Sequence, residues 1–456
     1  MKFDLVAWLL SPYILMFIAV FTGLLFGKIR FGKFSFGSSG ALFTGLVIGW
    51  WATDYAQKIT EGNPGFIAAE AFMKAGVVQK EFFNIFLILF VCAVGLLAAK
   101  DMGTVLKKYG LKFVILGVLI TAVGAAATYG CTFFSVGNNP FEVSGVYTGA
   151  LTSSPGLAAA IETATNFSKE KAAEYPTLSA TEKSKVLRVI DKTGALTPEN
   201  TPELTPELKE KYTKEAQAGI GVGHAIGYPF GVLIVIIAMN FFPKIFRIDV
   251  DEEMKAYRKE MSDARKLNVG KEIPEVSFDL LAFALACLFG YTIGVININL
   301  GPLGYFSLES TGGVLIGSLI LGYIGKIGFI NFRMDSKILG VVREVALVFF
   351  LGIVGLRYGF KVFDALFGSG LYLALVSLIV GTVAMMVGFI VGKYIFKINW
   401  IMLSGAICGG MTSTPGLGAA IEAAGGDEPA AGYGATYPFA LLGMVIFTII
   451  LHKLPM

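Results

Sequence analysis

The chain has 456 residues, 55% of them hydrophobic and only 15% charged, with a mean hydropathy of +0.69. Soluble chains carry about 25% charge, so a soluble globular domain is excluded, and a net charge of +4 is too small to suggest nucleic acid as a partner. Apolar runs near bilayer length recur along the whole sequence, which predicts an all-α polytopic membrane protein.

The first apolar stretch, 5–27, resembles a signal peptide at its start, but no small-residue cleavage site follows. Lys28, Arg30 and Lys33 come after it instead, so it reads as a retained first span. Further elements fall near 35–52, 83–99, 110–134, 143–165 and 218–242. Before the last of these lies an insert, 166–217, rich in Lys, Glu, Thr and Pro and poor in large apolar residues. It is expected to be a solvated, partly helical appendage. A polar linker covers 243–275, and further elements follow near 276–297, 308–331, 338–356, 368–393, 398–424 and 432–452. Cys92, Cys131, Cys287 and Cys408 are dispersed in apolar segments with no metal-ligand spacing, and they read as small packing residues. Trp8, Trp50, Trp51 and Trp400 suit interfacial belts.

The two sets of elements repeat. "GALTSSPGLAAAIETA" (149–164) and "GGMTSTPGLGAAIEAA" (409–424) share 11 of 16 positions at a shift of 260, which also aligns Gly95 with Gly355 and Gly110 with Gly370. "GHAIGYPF" (223–230) matches "GYGATYPF" (432–439) at a shift of 209, and the difference of 51 residues is the insert. Gly40 pairs with Gly312 and Gly45 with Gly317, on elements suited to an opposing scaffold or a dimer face. The expected domains are a first membrane repeat at 1–242, a cytoplasmic linker at 243–275 and a second membrane repeat at 276–456.

Basic turns at 28–33 and 100–112 follow the first and third elements of one half; those at 326–337 and 393–397 follow the second and fourth of the other. Cytoplasmic loops collect Lys and Arg, so equivalent elements point in opposite directions, the signature of inverted repeats. Inversion needs an odd number of crossings per half. Each half is therefore read as about five transmembrane helices plus one re-entrant or broken segment. The "TSxPG" segment is chosen for that role, which places both termini and the insert outside and the linker inside. If the YPF element is the re-entrant one instead, the insert moves inside.

Thr152, Ser153 and Ser154 precede Pro155 and Gly156; Thr412, Ser413 and Thr414 precede Pro415 and Gly416. Pro fits the first turn of a helix and Ser or Thr before it can cap. Each phrase thus reads as an unwound stretch followed by a new helix start, whose free N–H groups suit a carboxylate. These ten residues are the candidate substrate-binding set. A hydroxyl-lined kink without ligand is the plainer reading, but duplicated broken helices point to transporter sites.

Other polar residues form an outer set. Glu162 and Glu422 close the phrases, and cation binding, pairing with a base and reaching the interface stay open for each. Tyr228 and Tyr437 sit in the YPF elements and either line the cavity or mark packing kinks. Arg357 and Arg343 lie in the ninth element, where substrate contact and snorkelling compete. No metal site or catalytic residue is expected. An intramembrane hydrolase using Ser153 or Ser413 would need a base; the chain's histidines, His224 and His452, do not recur between halves, and there is no GxSxG elbow. A channel is disfavoured by a site built to retain its ligand.

The duplicated "G-x-x-TSxPGL" phrase, followed in each half by a "YPF" helix, resembles the aspartate–alanine exchanger family of bacterial membrane proteins. The likeness covers roughly 1–165, 218–242 and 276–456. It implies secondary transport by exchange of amino acids or related carboxylates in the inner (cytoplasmic) membrane. A homodimer embedded in the lipid bilayer is expected. The two-hairpin arrangement is similar to elevator-type carboxylate transporters, which implies an elevator mechanism. No cofactor is implied. Coupling to Na⁺ or H⁺ in a symporter of amino acids or dicarboxylates is the alternative. The short linker and the insert depart from the family pattern.

Overall fold

A computed structural model describes residues 4–29, 37–134, 139–191, 193–267, 273–299, 305–368 and 370–454. The first half holds α1 (Leu5–Leu9), α2 (Pro12–Gly27), α3 (Gly40–Gln57), α4 (Phe66–Ala75), α5 (Lys80–Thr132), α6 (Pro140–Ala150), α7 (Ser154–Glu174), α8 (Ala180–Ile190) and α9 (Pro206–Ile245). Helix α10 (Val250–Leu267) occupies the linker. The second half holds α11 (Leu280–Gly294), α12 (Glu309–Ile324), α13 (Ser336–Phe367), α14 (Leu371–Ile390), α15 (Trp400–Gly410), α16 (Thr414–Ala424) and α17 (Pro429–Lys453). Six stretches among the described residues are long and apolar enough to cross a bilayer: Lys80–Ala99, Val105–Thr132, Pro206–Ile245, Ser336–Phe367, Leu371–Ile395 and Pro429–His452. Outward-facing Phe17, Phe21, Leu111 and Leu288 leave a greasy surface that suits lipid. This is a multi-pass α-helical membrane protein.

Several boundaries differ from the sequence reading. The stretch 5–27 is two helices, because Pro12 cannot continue α1 but can open α2. The basic segment 100–112 is not an open turn; it lies inside α5, which contains no proline to interrupt it. Helix α4 went unnoticed, being short and only weakly apolar.

The long helices sort into two bundles. In the first, α3 lies on α13, and α12 lies on the beginning of α5, with α2 and α11 flanking. A Cβ at Gly355 would land on the carbonyl of Leu42, and one at Gly95 on the hydroxyl of Ser318. The two halves therefore interlock reciprocally. The second bundle pairs α6 with α9 and α15 with α17, adding α7, α14, α16 and the end of α5. A Cβ at Gly145 would meet the Ile220 carbonyl, and one at Gly405 the Pro429 carbonyl. These are the same contact in both halves, at the shifts of 260 and 209 read from the sequence. Only glycine lets helix backbones approach so closely.

The insert is helical and continuous with the second bundle, because α7 runs into it and α9 starts in it, both unbroken. Tyr175, Val186, Leu187, Ile190, Leu204 and Tyr212 form its own small apolar cluster. Ser179 and Glu182 close a capping box at the start of α8. At the opposite end of the second bundle, α10 buries Met254, Tyr257 and Met261. Glu253 of α10 accepts the Trp400 N–H at 2.7 Å, capping the start of α15, and pairs with Lys393.

Candidate functional site

Both repeated phrases form the same helix break. After α6, the N–H of Thr152 reaches the Gly149 carbonyl at 2.8 Å, and that of Ser153 reaches the Thr148 carbonyl at 2.8 Å. After α15, Thr412 and Ser413 repeat this on Gly409 at 3.1 Å and Cys408 at 2.8 Å. This is a Schellman cap, which needs a left-handed residue at its turn. Thr152 and Thr412 supply it, at φ 53° and 49°, where glycine would normally sit. Ser153 and Ser413 then cap the next helix at once: their hydroxyl oxygens accept the N–H of Gly156 at 3.1 Å and of Gly416 at 3.2 Å.

Each break reverses the chain. Helix α6 runs alongside α9, Gly145 near Ile220 and Gly149 near Tyr228, whereas α7 runs the other way, Thr165 near Gln217 and Ser168 near Thr213. His452 of α17 ties the two limbs, 2.9 Å from Ser144 of α6 and 3.0 Å from Thr163 of α7. The first helix pair thus starts and finishes at the insert end. The second does so at the α10 end, where Trp400 bonds Glu253 and Arg258 bonds Glu428 at 3.1 Å, just past α16.

The two tips are tied to each other. The Thr152 hydroxyl donates to the Met411 carbonyl at 3.1 Å, and the Thr412 hydroxyl to the Leu151 carbonyl at 2.6 Å. Glycine could make the turn but not this cross-bond. That accounts for a β-branched residue in a conformation that costs about 1–2 kcal/mol.

Beside the crossed tips, along the seam between the bundles, lies a cavity of about 420 Å³, within the range typical of small-ligand sites. The second bundle contributes Thr152, Ser153, Ser154, Thr412, Thr414, Pro415, Tyr228 and Tyr437. The first contributes Lys80, Phe83, Asn84, Phe350, the end of α11 and the start of α12 with Glu309, Ser310 and Thr311. At the α10 end the same seam is shut. There the Glu422 carboxylate accepts the Ser38 N–H at 2.6 Å, and Arg343 pairs with Asp427.

Eight of the fifteen candidate residues therefore meet at one cavity, while Ser413, fully buried as the cap of α16, is not among its lining residues. Pro155 sits in the first turn of α7. Gly156 and Gly416 serve close packing: a Cβ at Gly416 would land on Val235, and one at Gly156 would crowd Met444. Glu162 is exposed on α7. Glu422 is the seam contact just described. Arg357 donates to the Val78 carbonyl at 2.6 Å and lies over the Phe83 ring, one residue layer behind the wall. His224 hydrogen-bonds Thr148 at 3.0 Å, so among the described contacts neither histidine is bonded to Ser153 or Ser413. Glu309, Ser310, Thr311 and Lys80 escaped the sequence reading. The signal was present as a second repeated phrase, "FSFGSSG" (34–40) and "FSLESTG" (306–312).

The chain belongs to the aspartate–alanine exchanger family, whose sequence model, described as a predicted permease membrane region, matches residues 15–244 and 282–453. It is similar to an uncharacterized transporter of Bacteroides thetaiotaomicron, 32% identical over 212 residues, covering 46% of this chain and 38% of that protein. A Bacteroides fragilis protein of the same description gives the same figures. An uncharacterized transporter of Desulfotalea psychrophila is 32% identical over 175 residues, covering 38% of this chain and 32% of the relative. The chain thus matches well under half the length of these curated relatives.

Proposed function

We propose that this protein is a secondary transporter of a small carboxylate-bearing substrate, an amino acid or a dicarboxylate, working by exchange in the bacterial inner membrane. The observation that carries this reading is the seam cavity, into which both duplicated helix breaks project. The starts of α7 and α16 bring positive dipole ends and spare N–H groups to it. The Ser153 hydroxyl, whose oxygen already accepts the Gly156 N–H, lines the cavity and keeps a proton to donate to a carboxylate.

The reciprocal packing supports two inverted repeats, 1–242 and 276–456, with the hairpins re-entering from opposite faces, and the charge distribution favours a cytoplasmic α10 linker. Both hairpins belong to the second bundle, so sliding that bundle along the first, as in an elevator, would carry the substrate with it. The seam fits one end state of such a cycle, open beside Lys80 and closed at Glu422. Proteoliposomes preloaded with aspartate, alanine or succinate test this. Uptake of labelled substrate that requires internal substrate and ignores Na⁺ and pH gradients is expected. Uptake from empty vesicles driven by either gradient would replace exchange by symport.

A further inference from the structure

We propose that Glu309 forms a subsite for a small monovalent cation in the seam cavity; this rests on the transporter reading for its setting but not for its test. The repeated phrase places Gly37 and Glu309 at equivalent positions, a shift of 272, and both adopt left-handed backbone, φ 48° and 54°. The fold thus uses such a residue at the entry to each helix, and glycine meets the need without strain in the first half. A glutamate kept in that conformation is strained, and strained residues persist where their side chain is used.

The two positions also share a carboxylate, delivered differently. In the first half Glu422 brings one across the seam: a Cβ on Gly37 would land on its Oε1, and Ser38 donates to that oxygen. In the second half the carboxylate is Glu309's own. It lies half-buried in the cavity wall, and among the described residues it makes no hydrogen bond. Lys80 is the basic residue that lines the same cavity, and it sits exposed at the rim. Opposite lie the helix starts of the tips, which favour anions. The cavity is therefore polarised, anion-binding at the tips and cation-binding at Glu309. The cation is either the ammonium of the substrate itself or a free Na⁺ that accompanies it.

Titration of purified wild-type protein and the variants Glu309→Gln and Glu309→Gly, followed by thermal stabilisation, tests the subsite. The probes are NaCl, L-alanine, methylammonium and succinate. Saturable stabilisation of the wild type by a cation-bearing probe is expected, weakened about tenfold or more in both variants, with the succinate response retained. Response to methylammonium and alanine but not Na⁺ identifies the substrate's ammonium; response to Na⁺ identifies a coupling ion. Without ligand, Glu309→Gly should melt no lower than wild type, since it relaxes the left-handed residue; a merely structural Glu309 would show the opposite. If no cation-bearing probe titrates the wild type, or the variants titrate like it, the subsite is overturned. Cation binding with no response to alanine or succinate would leave the subsite standing and remove the carboxylate reading instead.

Discussion

The crossed threonines allow a quantitative test of how the two tips are held. Thr412→Val removes the hydroxyl that donates to the Leu151 carbonyl at 2.6 Å but keeps the β-branched shape. Leu151 is fully buried, so its carbonyl loses this donor away from water, a cost of about 1–3 kcal/mol. Thr152→Val does the same to the Met411 carbonyl. Thr412→Gly also loses the bond but relieves the left-handed turn, worth about 1–2 kcal/mol, so it should fall closer to wild type than the valine. Because the donors and acceptors are chain neighbours in both tips, the first loss loosens the second contact. The double valine variant should therefore cost less than the sum, with a coupling of about 0.5 kcal/mol or more. Equilibrium unfolding in detergent micelles measures these differences, and substrate counterflow measures whether a loosened tip still transports. Valine variants within about 0.5 kcal/mol of wild type, and additive, would refute the reasoning.

Glycine substitutions should separate by their surroundings. Gly405→Ala drives a methyl into the Pro429 carbonyl and should cost about 1–3 kcal/mol, whereas Gly110→Ala meets nothing within 4 Å and should be neutral or slightly stabilising; melting temperatures compare them. In the insert, hydrogen bonds from the Thr193 hydroxyl and N–H hold the Asp191 carboxyl down to about 2. A carboxyl depressed below its ordinary range stabilises the loop above about pH 4 and loses this as pH falls towards 2. The protection of the 193–197 amides, corrected for intrinsic exchange, should therefore fall over that window in wild type and stay flat in Asp191→Asn. Glu422→Gln replaces the carboxylate at the closed end of the seam, so a thiol placed at Ser38 should label faster than in wild type, while Glu162→Gln, exposed on α7, should leave that rate unchanged.

Helix periodicity and composition made the membrane class and most long elements legible, because apolar runs report on lipid contact directly. The TSxPG phrases were legible as breaks since Pro and Ser have strong positional meanings at helix starts. What they did not disclose is that Thr152 and Thr412 face each other, since a contact between residues about 260 apart depends on tertiary packing. Gly156 and Gly416 were counted in the candidate substrate-binding set, and the side chains packed against them are Met444 and Val235. Glu309 was missed for a different reason. Its left-handed φ is invisible in a sequence, and a Glu opening a helix reads as ordinary first-turn charge.

The repeats are similar in fold but unequal in chemistry, and the inequality lies along the seam. Where the first half has Gly37, the Glu422 carboxylate can reach the Ser38 N–H and shut the α10 end. Where the second half has Glu309, the counterpart of Glu422 at a shift of 260 is Glu162. A mirrored contact would press the Glu162 carboxylate onto the Cβ of Glu309, beside a second negative charge. Both the steric overlap and the like-charge repulsion oppose it. A rocking cycle that simply exchanged the conformations of the two halves would need that contact. In the proposed cycle the insert end would close by other means, leaving the space between Glu309, Ser310 and the tips free for a ligand. In the proposed transporter the asymmetry between Gly37 and Glu309 would turn one of two equivalent helix starts into a latch and the other into part of a binding site.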